Sequence, residues 1–114
     1  WPHNGGKMST EHSHQAGFLQ WFRAKYPGIL IFAIPNGGKR DIVTAKKLQM
    51  EGVVPGVPDL FVPELRLWIE MKKPGGRLSE AQKSMIEYLE GIGHTVIVAY
   101  GARDASMKVL EFLK

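Results

Sequence analysis

The sequence predicts an α/β protein with a central mixed β-sheet flanked by helices, and two observations support this fold class. Amphipathic stretches with helical periodicity alternate with short apolar runs that are typical of strands. Turns rich in glycine and proline separate these stretches, which gives the element order α-β-α-β-β-α-β-α. Because 114 residues suffice for one core only, we expect a single domain over residues 9–114 and interpret residues 1–8 as a cloning remnant or a disordered tail.

The first helix is expected to begin after Ser9 or Thr10, either of which can cap it, and to end near Tyr26 at a Pro-Gly pair. Its apolar stripe, extended backwards at helical spacing, passes through Gln15 and Glu11. Glu11 is therefore expected in the first turn, on the inward edge of the helix. The later elements are expected at residues 29–34 (buried strand), 42–51 (short helix), 59–62 and 67–72 (two strands), 80–92 (helix), 95–99 (buried strand) and 104–113 (helix).

Composition excludes several classes of protein. Charged residues make up 23% and hydrophobic residues 44%, an ordinary globular balance. No apolar run reaches the roughly 18 residues that a membrane span needs, so no membrane association is expected. The chain has no cysteine, which excludes disulfides and thiolate metal sites and favours a cytoplasmic location. A net charge of +4 weakly favours a polyanionic partner.

The predicted hairpin places two carboxylates opposite each other. With Glu64 and Leu65 at the turn centre, Asp59 faces Glu70 on the neighbouring strand. The same register pairs Val62 with Leu67 and Phe61 with Trp68. Side chains alternate along strands, so the two faces of the hairpin differ in character. One face is apolar, with Leu60, Val62, Leu67, Ile69 and Met71, whereas the other holds Asp59, Phe61, Trp68, Glu70 and Lys72.

Facing carboxylates beside a strand core repel each other and call for compensation. A divalent cation supplies it, because Mg²⁺ and Mn²⁺ prefer oxygen ligands. Lys72 lies two residues beyond Glu70 on the same face, where its ammonium group can hold an attacking water or meet the negative charge of a phosphate. The alternative is a surface hairpin in which Lys72 forms a salt bridge with one of the acids.

The ordered motifs around this hairpin resemble those of a known nuclease family. Pro58-Asp59 followed by Glu70-Met71-Lys72 resembles the signature of the PD-(D/E)XK nuclease superfamily, which implies a restriction-endonuclease-like fold. The longer set is similar to the VRR-NUC (virus-type replication-repair nuclease) family, in its stand-alone phage and bacterial form. That set comprises Pro35-Asn36-Gly37-Gly38-Lys39-Arg40, the run from Glu51 to Leu60, Ile69-Glu70-Met71-Lys72 and Leu78-Ser79-Glu80-Ala81-Gln82.

The resemblance implies a role for each matching residue. Asp59, Glu70 and the Met71 backbone carbonyl would bind the metal, and Lys72 would be the catalytic lysine. Glu11 would complete the metal shell directly or through water. The resemblance also implies Mg²⁺ or Mn²⁺ as cofactor, DNA as substrate, a role in DNA repair, and a homodimer similar to Holliday-junction resolvases.

Several further residues have two interpretations. Gln82 would reach the site from the helix after the hairpin, or it could serve only as the capping-box partner of Ser79. Glu11 could simply favour its helix N-terminus through the macrodipole. Phe61 and Trp68 could stack on a base, although we expect them to pack beneath the site.

The basic residues near the motifs are candidates for DNA contacts. Asn36, Lys39 and Arg40 lie on a glycine-rich loop, where backbone can approach phosphates closely, or they form a solvated turn. Lys73 is expected to add phosphate attraction. The histidines do not show zinc spacing, so we interpret His12 and His14 as surface residues and His94 as structural.

Together with the family resemblance, which implies the DNA substrate, these patterns predict a metal-dependent DNA endonuclease that hydrolyses phosphodiester bonds in branched DNA such as Holliday junctions or flaps. The main alternative is a noncatalytic DNA-binding module that keeps the nuclease fold, which predicts binding without cleavage. A second alternative is an interaction protein that uses its basic surface for an acidic partner. That protein would bind neither metal nor DNA.

Overall fold

A computed structural model describes residues 10–35 and 42–114 of the chain. The predicted tail at residues 1–8 and the candidate DNA contacts Asn36, Lys39 and Arg40 lie outside the described residues. The described elements follow the predicted order. They are α1 (Glu11–Lys25), β1 (Phe32–Ala33), α2 (Ile42–Met50), β2 (Leu60–Val62), β3 (Leu67–Lys72), α3 (Glu80–Gly91), β4 (Thr95–Tyr100) and α4 (Ala102–Phe112).

The four strands form one mixed sheet in the order β1-β2-β3-β4. Pairing is antiparallel between β1 and β2 and between β2 and β3, whereas β3 and β4 run parallel across the α3 crossover. A single turn of 3-10 helix, Pro63–Leu65, joins β2 to β3 and leads into Arg66 with a positive φ of 47°. The predicted α/β class with a mixed sheet flanked by helices is confirmed.

The hairpin register agrees with the alternation of its side chains. Val62 pairs with Leu67, Phe61 with Trp68 and Leu60 with Ile69. The predicted apolar face of the hairpin is buried, as expected for a register in which a one-residue slip would expose every apolar side chain. Helices α1 and α4 pack against each other and contribute to the same core, mainly through Phe18, Phe22, Ala105 and Val109.

The apolar run at residues 29–34 does not form the buried strand that we expected. Only Phe32 and Ala33 pair as β1, at the edge of the sheet, and both side chains are exposed. Ile31 alone of this run is fully buried. An apolar run cannot by its periodicity distinguish a central strand from an edge segment that contributes a single side chain to the core.

The helix ends follow from local sequence. Thr10 caps α1, where its side-chain oxygen accepts from the Ser13 N–H at 3.0 Å. Ser79 and Gln82 form the predicted capping box at the start of α3. No helix in the described part of the chain is long and apolar enough to cross a membrane. The cytoplasmic location inferred from composition stays a prediction.

Candidate active site

Asp59 is held at the end of the hairpin by hydrogen bonds from two neighbouring segments. It directly precedes β2, so the register that pairs Leu60 with Ile69 continues to Asp59 and Glu70. The Ile34 N–H donates to the Asp59 carbonyl oxygen at 2.8 Å. The Met71 N–H donates to Asp59 Oδ2 at 2.7 Å. These bonds fix both the backbone and the carboxylate, so the acid is oriented before any ligand arrives.

Glu70 is buried beside this acid. Only 2% of its surface is exposed. Burial, together with the hydrogen bond and the negative charge of Asp59, raises the pKa of Glu70 from 4.5 to about 9, although the positive charge of Lys72 opposes this rise. The metal-free protein therefore keeps a proton on this pair at neutral pH. A cation bound to the carboxylates of Asp59 and Glu70 would take the place of that proton.

Lys72 ends β3 with its backbone anchored and its side chain largely buried. The Gly101 N–H donates to the Lys72 carbonyl at 2.8 Å, which ties the strand end to the start of α4. The ammonium nitrogen lies 4.0 Å from Glu11 Oε1 on α1, and the Glu11 side chain is 52% exposed. This separation is at the limit of an ion pair, so the interaction is weak and leaves the ammonium group able to contact a substrate.

The backbone of β3 directs a third oxygen to the acid pair. The carbonyls of Arg66 and Lys72 accept hydrogen bonds from the β4 side. Successive carbonyls alternate along a strand, so the Met71 carbonyl points to the β2 side, where Asp59 lies. Two carboxylates and a carbonyl are the donors that Mg²⁺ and Mn²⁺ prefer, and the residues present fit such an ion.

Glu11 lies beside the acid pair, on the first turn of α1. Within residues 10–35 and 42–114, no three His, Cys, Asp or Glu side chains gather closely enough to hold a metal ion together. The nearest charged partner of the Glu11 carboxylate is the Lys72 ammonium group. In addition to burial and Asp59, the negative charge of Glu11 nevertheless contributes to the raised pKa of Glu70, and ligation by Glu11, directly or through water, stays a prediction.

Gln82 lies on a helix turn that packs closely against the loop before Asp59. A Cβ at Gly56 would lie 2.4 Å from the Ala81 carbonyl oxygen, so the loop that leads to Asp59 packs directly on the first turn of α3. Gln82 lies half-buried in that turn, and its Oε1 accepts from the Ser79 N–H at 2.8 Å. The capping role is thus formed, and a role at the site stays a prediction.

We expect Gly56→Ala to unfold or strongly destabilise the protein, because φ is +86° and the new methyl group would collide with backbone. A loss of about 3 kcal/mol or more in the free energy of unfolding is expected. Gly52→Ala is the matched control, since φ is +102° there with no atom within 4 Å. It should cost only about 1 kcal/mol. Equal losses in urea denaturation would contradict the close approach.

The aromatic residues beside the acids pack on each other. The rings of Phe61 and Trp68 stack with centroids 4.1 Å apart. The Trp68 Nε1–H donates to His94 Nδ1 at 2.9 Å, so this indole is fixed in place. The packing interpretation of the two rings and the structural interpretation of His94 are supported. Lys73 follows the site lysine with its side chain exposed, where it is free to meet a phosphate.

His14 is a contact that sequence reasoning missed. The prediction of a surface histidine is wrong, because its half-buried ring accepts the Ala102 N–H at Nδ1, 3.0 Å away. The two residues lie 88 positions apart in the chain. Local patterns cannot reveal such a pairing. The one available signal is helical spacing, which puts His14 one turn after Glu11.

A mixed sheet whose hairpin ends in two facing acids and a lysine defines a nuclease fold of the PD-(D/E)XK type. The family model of the VRR-NUC domain matches residues 9–103. A solved structure described as a VRR_NUC domain protein is similar, with a TM-score of 0.76 and 27% sequence identity over 94% of this chain and 90% of that one. Comparison with curated protein sequences gives no match. The chain belongs to the VRR-NUC family, and its function is of the DNA-processing nuclease type.

Proposed function

We propose that the protein is a metal-dependent DNA endonuclease that cuts branched DNA, such as Holliday junctions or flaps. The observation that carries this proposal is the buried pair of Asp59 and Glu70, with a strongly raised pKa on one acid, beside a buried lysine. Such a pair lowers the stability of the metal-free protein, so its presence is explained by what it binds. The basic net charge of +4 agrees with a polyanionic substrate.

The residues that would hold Mg²⁺ or Mn²⁺ are Asp59, Glu70 and the Met71 carbonyl. When bound, the cation would lower the pKa of a water molecule and offset charge on the scissile phosphate. The Met71 N–H holds Asp59 Oδ2 and so fixes the orientation of the carboxylate. Glu11 would act from α1, through water or through its contact with Lys72.

Lys72 would orient the attacking water or stabilise charge that develops on the phosphate. Burial of its stem and the anchored carbonyl restrict the positions that the ammonium group can reach. Lys73, which is exposed next to it, would bind a flanking phosphate. Asn36, Lys39 and Arg40 would contact further phosphates of the DNA. Gln82 would complete the site from the first turn of α3.

A homodimer would provide two such sites at a fixed spacing, as a symmetric junction requires. Helix α2 supports this part of the proposal, because none of its residues is buried. Ile42, Val43 and Met50 are 75%, 78% and 89% exposed. Apolar side chains grouped in this way are typical of an interaction surface. Light scattering should give a dimer for the parent protein and a monomer for the double variant Val43→Glu, Met50→Glu. A monomeric parent at high concentration would contradict the dimer.

The proposed activity is tested with labelled duplex, flap and four-way junction DNA in Mg²⁺ or Mn²⁺. We expect the parent to cut a branched substrate in preference to duplex, and Asp59→Ala to be inert while it stays folded. Glu64→Ala is the matched control, since Glu64 is an exposed acid on the turn between β2 and β3. A parent that binds DNA in a salt-dependent manner but cuts with neither metal would instead be a noncatalytic binding module. A parent that binds no DNA would favour the interaction protein.

A further inference from the structure

We propose that His14 is a positioning residue of the nuclease site, which holds the first turn of α1 against the β4–α4 junction so that Glu11 and Lys72 face each other. The inference rests on the proposed function and deepens it. His14 touches neither the acid pair nor the substrate in this proposal. It acts through the backbone segment that anchors Lys72.

His14 contacts the start of α4. The Ala102 N–H lies in the first turn of α4 and has no partner within the helix. It donates to His14 Nδ1 at 3.0 Å. Since Nδ1 accepts, the neutral ring carries its proton on Nε2. Nε2 is buried and finds no acceptor among the described residues. Burying that N–H costs stability, and the bond at Nδ1 offsets part of this cost.

Gly101 leaves space for the His14 ring because it has no side chain. Gly101 has φ at +103°, which favours glycine, and an added Cβ would lie 3.4 Å from His14 Cε1 and Nδ1 and 3.6 Å from Pro74 Cγ. The ring thus packs directly on the backbone at this turn. Pro74 follows Lys72 by two residues, so the same turn also borders the segment that leaves the site strand.

The turn at Gly101 is hydrogen-bonded to Lys72. The Gly101 N–H donates to the Lys72 carbonyl at 2.8 Å, next to the Ala102 amide that His14 binds. Glu11 precedes His14 by three residues, on the same side of α1, and its carboxylate lies 4.0 Å from Lys72 Nζ. Three contacts therefore form a closed cycle through α1, the β4–α4 turn and the end of β3. His14 completes this cycle of contacts with a hydrogen bond between residues 88 positions apart in the chain.

The test compares His14→Leu with His14→Asn. Leucine fills the space of the ring but cannot accept from Ala102, whereas the asparagine side-chain oxygen can occupy the position of Nδ1. We expect His14→Leu to lower kcat about 10- to 100-fold with little change in KM, because a displacement of about 1 Å is enough for such a loss. His14→Asn should recover most of the rate. His12→Leu, at an exposed position in the same helix turn, should leave cleavage unchanged.

A second readout separates failure of this inference from failure of the proposed activity. The order of the Lys72 ammonium group, measured by NMR of its Cε and Nζ, does not depend on cleavage. It should fall in His14→Leu and return in His14→Asn, even if the parent protein proves inactive on every DNA. If the Leu variant keeps both the order of Lys72 and the parent kcat, or if Asn fails to rescue a folded protein, His14 is not a positioning residue.

Discussion

Glu70→Gln should abolish cleavage and at the same time make the metal-free protein more stable. Loss of a carboxylate ligand should remove several kcal/mol of transition-state stabilisation, which lowers the rate about 10³-fold or more. The amide is neutral without binding a proton, whereas the parent must take up a proton at Glu70 on folding at pH 8, so we expect the free energy of unfolding at pH 8 in EDTA to rise by about 1–3 kcal/mol. Single-turnover cleavage and urea denaturation measure the two effects.

The stability gain should depend on pH in a defined direction. The pKa of Glu70 is about 9 in the folded protein against 4.5 for the same carboxyl group in an unfolded chain, so the folded state binds more protons between these limits. Parent stability in EDTA should therefore fall as pH rises from about 4.5 to about 9. Glu70→Gln removes this contribution, so the difference between the two proteins should be small near pH 4.5 and grow with pH.

A control variant and a metal titration test this prediction. Glu64→Gln changes an exposed acid and should alter neither cleavage nor the pH dependence of stability. Mn²⁺ should stabilise the parent but not Glu70→Gln, because a ligand that binds only the folded state shifts unfolding by mass action. If Glu70→Gln destabilises the metal-free protein at pH 8, the cost of protonating Glu70 on folding, which its raised pKa implies, is absent.

Lys72→Met should lower the cleavage rate about 10²- to 10³-fold, the loss typical of removing one charge-stabilising donor from an active site. Methionine keeps the length and the apolar stem of the buried side chain but not the ammonium group. Because the positive charge of Lys72 lowers the pKa of Glu70, its removal should raise that pKa further in the metal-free protein. Cleavage at saturating DNA, and Mn²⁺ binding followed by calorimetry, measure the consequences.

The expected signature of Lys72→Met is a lost rate with retained metal binding. This outcome would separate the lysine from the metal ligands, since Asp59→Ala and Glu70→Gln should lose both. Lys83→Met, on the exposed surface of α3 where its partner is Glu80, is the matched control and should cleave like the parent. A Lys72→Met protein that folds, binds Mn²⁺ and cuts at the parent rate would remove Lys72 from the mechanism.

The hairpin shows how much of the site local sequence can determine. Alternation of apolar and polar residues predicted that Val62 pairs with Leu67 and Phe61 with Trp68, and both pairs are observed. A strand has only two faces, so burying the apolar one leaves a single register. The opposition of Asp59 to Glu70 follows from that register. The capping box at the start of α3 was equally predictable, because its partners lie three residues apart.

Contacts between distant segments could not be predicted in this way. The apolar run around Ile31 was expected to form a buried strand, yet it lies at the edge of the sheet because strand order depends on the whole chain. Glu11 was correctly placed in the first turn of α1. Its nearest charged partner, Lys72, depends on how that helix packs over the end of β3.

By itself, the sequence determined the fold class, the hairpin register, the helix caps and the candidate trio of Asp59, Glu70 and Lys72. Each depends on interactions between residues close in the chain, where the periods of helix and strand limit the choices. Only the tertiary structure decided that His14 binds the Ala102 amide and that Gly56 packs on α3. These contacts join elements whose relative positions are set by packing of the whole core, which no local pattern encodes.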